Sequence, residues 1–138
     1  MKGDITMKYL PLIGRILFSL MFIMSGFGHL FSSAQMVAYA EQMGLPLASV
    51  LVPLTGIMIL LGGLSVVLGY QAKWGALLLI IFLIPTTFIM HPFWKIDDAM
   101  QAQMQMIMFM KNLSMLGGAI LIYYFGTGPL SLDKKNDN

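Results

Sequence analysis

Four apolar stretches, roughly residues 9–30, 47–68, 74–90 and 104–125, dominate this 138-residue chain, and two of them carry a cation: Arg15 in the first and Lys111 in the last. At 1.5 Å per residue each stretch can cross, or nearly cross, a hydrocarbon core about 30 Å thick as a helix. Lipid leaves such runs little choice of local structure, because every backbone N–H and C=O must find its partner inside the protein. A charge near mid-bilayer costs roughly 3 kcal/mol on insertion scales. Arg15 and Lys111 therefore need either a polar interior or a reach to the membrane surface.

Composition agrees with this reading and removes several function classes. With 58% hydrophobic and 10% charged residues and a mean hydropathy of +0.81, the chain is expected to be a single membrane domain, residues 1–138, and all-α. Cysteine is absent, so thiolate chemistry, thiolate metal sites and disulfides are excluded. The net charge of +2 comes from lysines too dispersed to track a phosphate backbone, which removes nucleic acid as a partner. A secretory signal ending at Ser32-Ser33-Ala34 is the rival reading of the first run, but that run is long enough to span.

Four spans place both termini on one side. Lys2, Lys8, Lys73, Lys134 and Lys135 fall there, whereas the opposite loops hold Lys95 beside Glu41, Asp97 and Asp98. The positive-inside bias then makes both termini cytoplasmic. Between the first two spans, residues 31–45 read as a short amphipathic helix on the outer surface. Ser32 or Ser33 is placed to cap it, Met36, Val37, Ala40 and Met43 share its apolar face, Gln35, Glu41 and Gln42 share the polar one, and Gly44-Leu45-Pro46 ends it. The Gly69 to Lys73 turn makes the second and third spans antiparallel neighbours.

Helical spacing puts Arg15, Ser19, Phe22, Gly26 and His29 on one stripe of the first span, expected to face the bundle. In the last span Met104, Met108, Lys111, Ser114, Met115 and Gly118 form a comparable face, with Asn112 on its flank. Taking Lys111 as lying toward the outer side, the outer half gathers His29, His91, Trp94, Lys111 and Asn112 as candidate ligand-binding residues, with Arg15, Glu41, Asp97 and Asp98 as supporting polar groups. Each has a structural counterpart. Arg15 can snorkel to cytoplasmic phosphates, Lys111 can pair with Asp97, Asp98 or Glu41, and histidines at span ends can be interfacial. Neither histidine has a second ligand three or four residues away, so no metal site is assigned. The alternating Met104, Met106, Met108 and Met110 point about 200° apart in turn and cannot converge on one copper ion; methionine here is filler.

The first span running into Ser25-Gly26-Phe27-Gly28-His29, the exit Glu41-Gln42-Met43-Gly44-Leu45-Pro46, His91-Pro92-Phe93-Trp94 ahead of Met110-Lys111-Asn112-Leu113, and the tail Gly126 to Asp133 together resemble the DoxX family. The resemblance implies a bacterial inner-membrane four-helix protein, named in that family as a quinol oxidase or oxidoreductase subunit of membrane redox assemblies. Two positions depart from the family pattern: His29 stands where many members have lysine, and apolar residues surround Ile59 where some carry an acid. The resulting expectation is a redox-associated membrane subunit that holds a quinone-like or lipophilic molecule in the outer half of the bundle. A ring would pack on Phe93 and Trp94, and His91, Lys111 and Asn112 would donate to its oxygens. Membrane lipid, redox protein partners and further copies of the chain are the associated molecules in this reading. A non-catalytic scaffold or assembly factor, and a small oligomeric transporter, are the alternatives.

Overall fold

The computed structural model describes residues 5–133; Lys2, Lys134 and Lys135, which entered the orientation argument, lie outside them. A 3-10 turn, Ile5–Tyr9, leads into α1, Leu10–Phe31, where Pro11 occupies the first turn and its missing N–H costs no helical bond. The short helix α2, Ser33–Gln42, is followed by α3, Ala48–Leu68, and α4, Ala72–Met90; a second 3-10 turn, Phe93–Lys95, precedes α5, Ala99–Phe125. The four long helices are long and apolar enough to cross a membrane. The expected all-α, four-span architecture with a short helix after the first span is thus present.

Helix α1 buries Arg15, Ser19, Phe22 and Gly26, spaced four, three and four residues apart, so the stripe anticipated from periodicity is its inner face. Phe22 joins Ile59 and Val66 of α3, Leu79 and Leu83 of α4, and Ala119 of α5 in the main core. A smaller core lies beneath α2, where Ala40 packs with Ala48 and Val52, flanked by Met36 and Val37. The helix therefore seats the apolar face expected of it, but without the expected serine cap: Ser32 makes no side-chain capping bond.

Close packing runs in the order α1, α3, α4, α5. Between α1 and α3 the approach is near backbone contact, since a Cβ added to Gly56 would stand 2.6 Å from His29 Cβ and 3.3 Å from the Gly26 carbonyl oxygen. Small residues permit this contact, which lipid rewards through packing rather than the hydrophobic effect. Helices α1 and α5 have no such continuous seam; the Phe18 ring against Gly118 is a point of contact.

Helix α5 departs from expectation in start and in face. It begins at Ala99, capped by the Asp98 carboxylate, which accepts from Gln101 N at 2.8 Å, and runs for 27 residues. The apolar-run reading began near residue 104 because Gln101, Gln103 and Gln105 dilute the hydropathy. Lys111 and Asn112 consequently sit near mid-helix, about 20 Å from Asp98 at 1.5 Å per residue, rather than toward the α2 end. Its buried residues are Asn112 and Ala119, while Met104, Met108 and Ser114 of the anticipated face are exposed.

At the opposite end, the segment after α5 folds back as a strap. Arg15 is 3% exposed, and its Nη2 donates to the Leu130 carbonyl at 2.6 Å and the Pro129 carbonyl at 3.3 Å. It does not snorkel; it turns inward and ties the strap down. Leu132 N and Asp133 N donate to the Leu68 and Gly69 carbonyls at 3.1 and 2.5 Å, and the Asp133 carboxylate accepts from Gln71 N and Ala72 N at 2.7 and 3.1 Å. Asp133 thereby caps the N-terminus of α4, where its charge also complements the helix dipole.

Candidate functional site: a cavity beneath α2

A cavity of about 600 Å³ extends from α2 down to mid-depth in the bundle. Helix α1 contributes Met21, Phe22, Ser25 and His29, and α3 contributes Leu51, Val52 and Thr55. From α4 come Phe82, Leu83, Pro85 and Thr86, with His91 just beyond; α5 supplies Lys111, Asn112 and Met115. Gln35, Met36, Tyr39 and Ala40 of α2 form its roof. Its walls come from both α1 and α5, although those helices share no continuous seam.

Two imidazoles are held in defined orientations. His29 Nδ1 lies 3.1 Å from the Val52 carbonyl oxygen and 3.2 Å from Thr55 Oγ1. A carbonyl can only accept, so Nδ1 carries the proton, and Nε2 is left with its lone pair. The Thr55 hydroxyl spends its own proton on the Leu51 or Val52 carbonyl, at 2.8 and 2.9 Å, which leaves its oxygen able to accept from His29. His91 Nδ1 lies 2.7 Å from Gln105 Oε1, the Gln105 amide donates to Tyr39 Oη at 3.4 Å, and the Tyr39 hydroxyl donates to the Met90 carbonyl at 3.0 Å. By the same logic His91 is protonated on Nδ1. This relay links α2, α5 and the end of α4 around the mouth of the cavity.

Deeper in, polar groups lack partners. Asn112 is 6% exposed, lines the cavity, and its carboxamide makes no hydrogen bond among the described residues. Lys111 Nζ lies 3.3 Å from Met108 Sδ, a weak acceptor. The anticipated ion pairs with Glu41, Asp97 or Asp98 are absent: those three side chains are exposed, Asp98 is spent on capping α5, and the depth of Lys111 puts them out of reach.

The candidate residues thus divide. His29, His91, Lys111 and Asn112 share one cavity. Trp94 does not line it; its ring packs at 5.7 Å from Phe109 and 5.2 Å from Phe93, in an aromatic group with Phe88 outside the cavity. Neither Phe93 nor Trp94 can therefore supply the ring-stacking wall expected of them; Phe22 and Phe82 line the cavity instead. Arg15 belongs to the strap. Tyr39, Thr55, Ser25 and Thr86 also line the cavity, and Gln105 joins it through His91 and Tyr39; none of the five stands among the candidates read from the sequence. The spacing of Gln105 and Asn112, two helical turns apart, was the available signal, masked by the methionines between them.

Helices and cavity define a small polytopic helical membrane protein with an internal apolar hollow and a few hydrogen-bonding anchors. The DoxX family profile matches residues 10–92. The chain is 32% identical over 127 residues to Inner membrane protein YphA of Escherichia coli strain K12, covering 91% of this chain and 89% of that protein. It is also 32% identical over 123 residues to Inner membrane protein YqjF of the same organism, covering 89% and 88%. No solved structure matches. The chain belongs to the DoxX family and is an integral membrane protein.

Proposed function

We propose that this protein is a membrane-embedded binding subunit that holds a quinone-like or other lipophilic molecule in the cavity beneath α2. The observation that carries this reading is the cavity itself: about 600 Å³, within the usual range for a small-molecule site, apolar-walled, with a small set of converging polar groups. The ligand's oxygens would accept from Lys111 and Asn112 at mid-depth, and the Nε2 lone pairs of His29 and His91 nearer the mouth would accept from a hydroxyl, as in the reduced, quinol form. The family resemblance supports a role in a redox assembly in which electron transfer belongs to partner proteins. Lys8 and Lys73 at the strap end favour cytoplasmic termini by the positive-inside bias, with α2 on the outer face. The names of the two E. coli relatives support residence in a bacterial inner membrane.

The test is binding of a short-chain ubiquinone analogue to the full-length protein in nanodiscs, with Ser25→Phe as a variant that fills the cavity. Saturable binding lost in Ser25→Phe is the expected result. Binding unaffected by the added ring would place the ligand elsewhere and overturn the reading.

A further inference from the structure

The cavity wall is chemically one-sided. Its ionisable groups are His29, His91, Lys111 and Tyr39, and no carboxylate lines it. Glu41, Asp97 and Asp98 are exposed beyond its mouth, and Asp133 is committed to the first amides of α4 at the far end of the bundle. Lys111, half-buried, lines this hollow, and its ammonium has only the Met108 thioether against it, at 3.3 Å. Beside it, the Asn112 side chain, 6% exposed, lines the same cavity. An intramembrane ammonium without an anionic partner is unfavourable and is relieved by an acceptor oxygen, to which the Asn112 amide can add a second hydrogen bond. A neutral carbonyl satisfies the hydrogen bonds but leaves the charge uncompensated, whereas an anion satisfies both.

We infer that the cavity selects a lipophilic oxygen anion, of which a single-chain carboxylate is the simplest form. Its anionic head is held by Lys111 Nζ and the Asn112 amide, and its apolar part lies along Phe22, Phe82, Leu83 and Met115. A chain-bearing ligand would enter from the surrounding hydrocarbon between α1 and α5, long helices that share no continuous seam. This inference rests on the binding reading above and narrows it by charge.

The experiment compares hexadecanoate, its methyl ester and the ubiquinone analogue on full-length protein in uncharged phosphatidylcholine nanodiscs. Wild type is expected to bind the carboxylate at least about tenfold more tightly than the ester, as for a buried charge pair. Lys111→Met and Lys111→Gln should both abolish that preference, and Lys111→Arg should retain it. A wild-type preference below twofold, or one that survives in both neutral variants, overturns the anion inference. If the quinone analogue then still binds and Ser25→Phe still blocks it, the cavity reading stands alone. If no probe binds in a Ser25-dependent way, both readings fall.

Discussion

The two ends of this bundle treat an intramembrane cation in opposite ways. At the strap end Arg15 is closed off: its guanidinium is tied to two backbone carbonyls of residues more than a hundred positions away, beside Gly69 at the C-terminal end of α3, where the helix dipole favours positive charge. Nε and Nη1 are left buried without partners, so even this solution is incomplete. At mid-depth Lys111 has neither carbonyls nor a dipole terminus, and it faces a cavity. A groove of about 910 Å³ also lies under the strap, but the polar groups beside it are largely used in holding Asp133, Leu132 and Ser131 in place. The contrast teaches that the size of a hollow says less than whether its polar groups are already occupied. One end is built to stay shut, and the other keeps its donors available.

Four substitutions can break or sharpen that contrast. The largest effect is expected from Gly69→Val. Gly69 has φ +63°, and a Cβ there would fall on the Arg15 guanidinium and Ser131, so backbone strain and overpacking combine to cost about 4 kcal/mol. A fall in apparent Tm in detergent larger than for any cavity variant is the sign to look for. Arg15→Leu should cost about 2 kcal/mol by orphaning the Pro129 and Leu130 carbonyls, and limited proteolysis should then cut the strap faster while cavity ligands bind unchanged. Loss of the α4 cap in Asp133→Ala is worth about 1 kcal/mol, readable as a smaller Tm shift in the same assay. Smallest of all, Lys111→Met should change stability by less than about 0.5 kcal/mol, because no ion pair is broken and an unfavourable burial is relieved. A large destabilisation by Lys111→Met would make that lysine a structural anchor and erase the distinction between the two ends.

Much of the fold was legible because the membrane imposes simple rules. Span count, the α3–α4 turn, the seat of α2 and the inner stripe of α1 all follow from apolar run length and 3.6-residue periodicity. The face of α5 did not, for a physical reason. Its inner side carries Gln105 and Asn112 and its outer side carries methionines, the reverse of a water-soluble amphipathic helix, since lipid rather than water bathes the exposed face. The packing of Trp94 was not legible, because an aromatic residue near a span end fits an interfacial belt, a ring cluster or a binding wall equally well; the structure packs it against Phe88, Phe93 and Phe109.

By itself the sequence determined that this chain spans a membrane four times, contains no thiol chemistry, and carries two cations within its apolar runs. Those are properties of composition and local periodicity, which act over one or two helical turns. The tertiary structure decided what each cation meets. Arg15 met the carbonyls of a returning strap, and Lys111 met an apolar hollow shared with His29, His91 and Asn112. These outcomes depend on contacts between residues far apart in the chain, set by how closely small residues let α1 approach α3 and by the seam that α1 and α5 do not form.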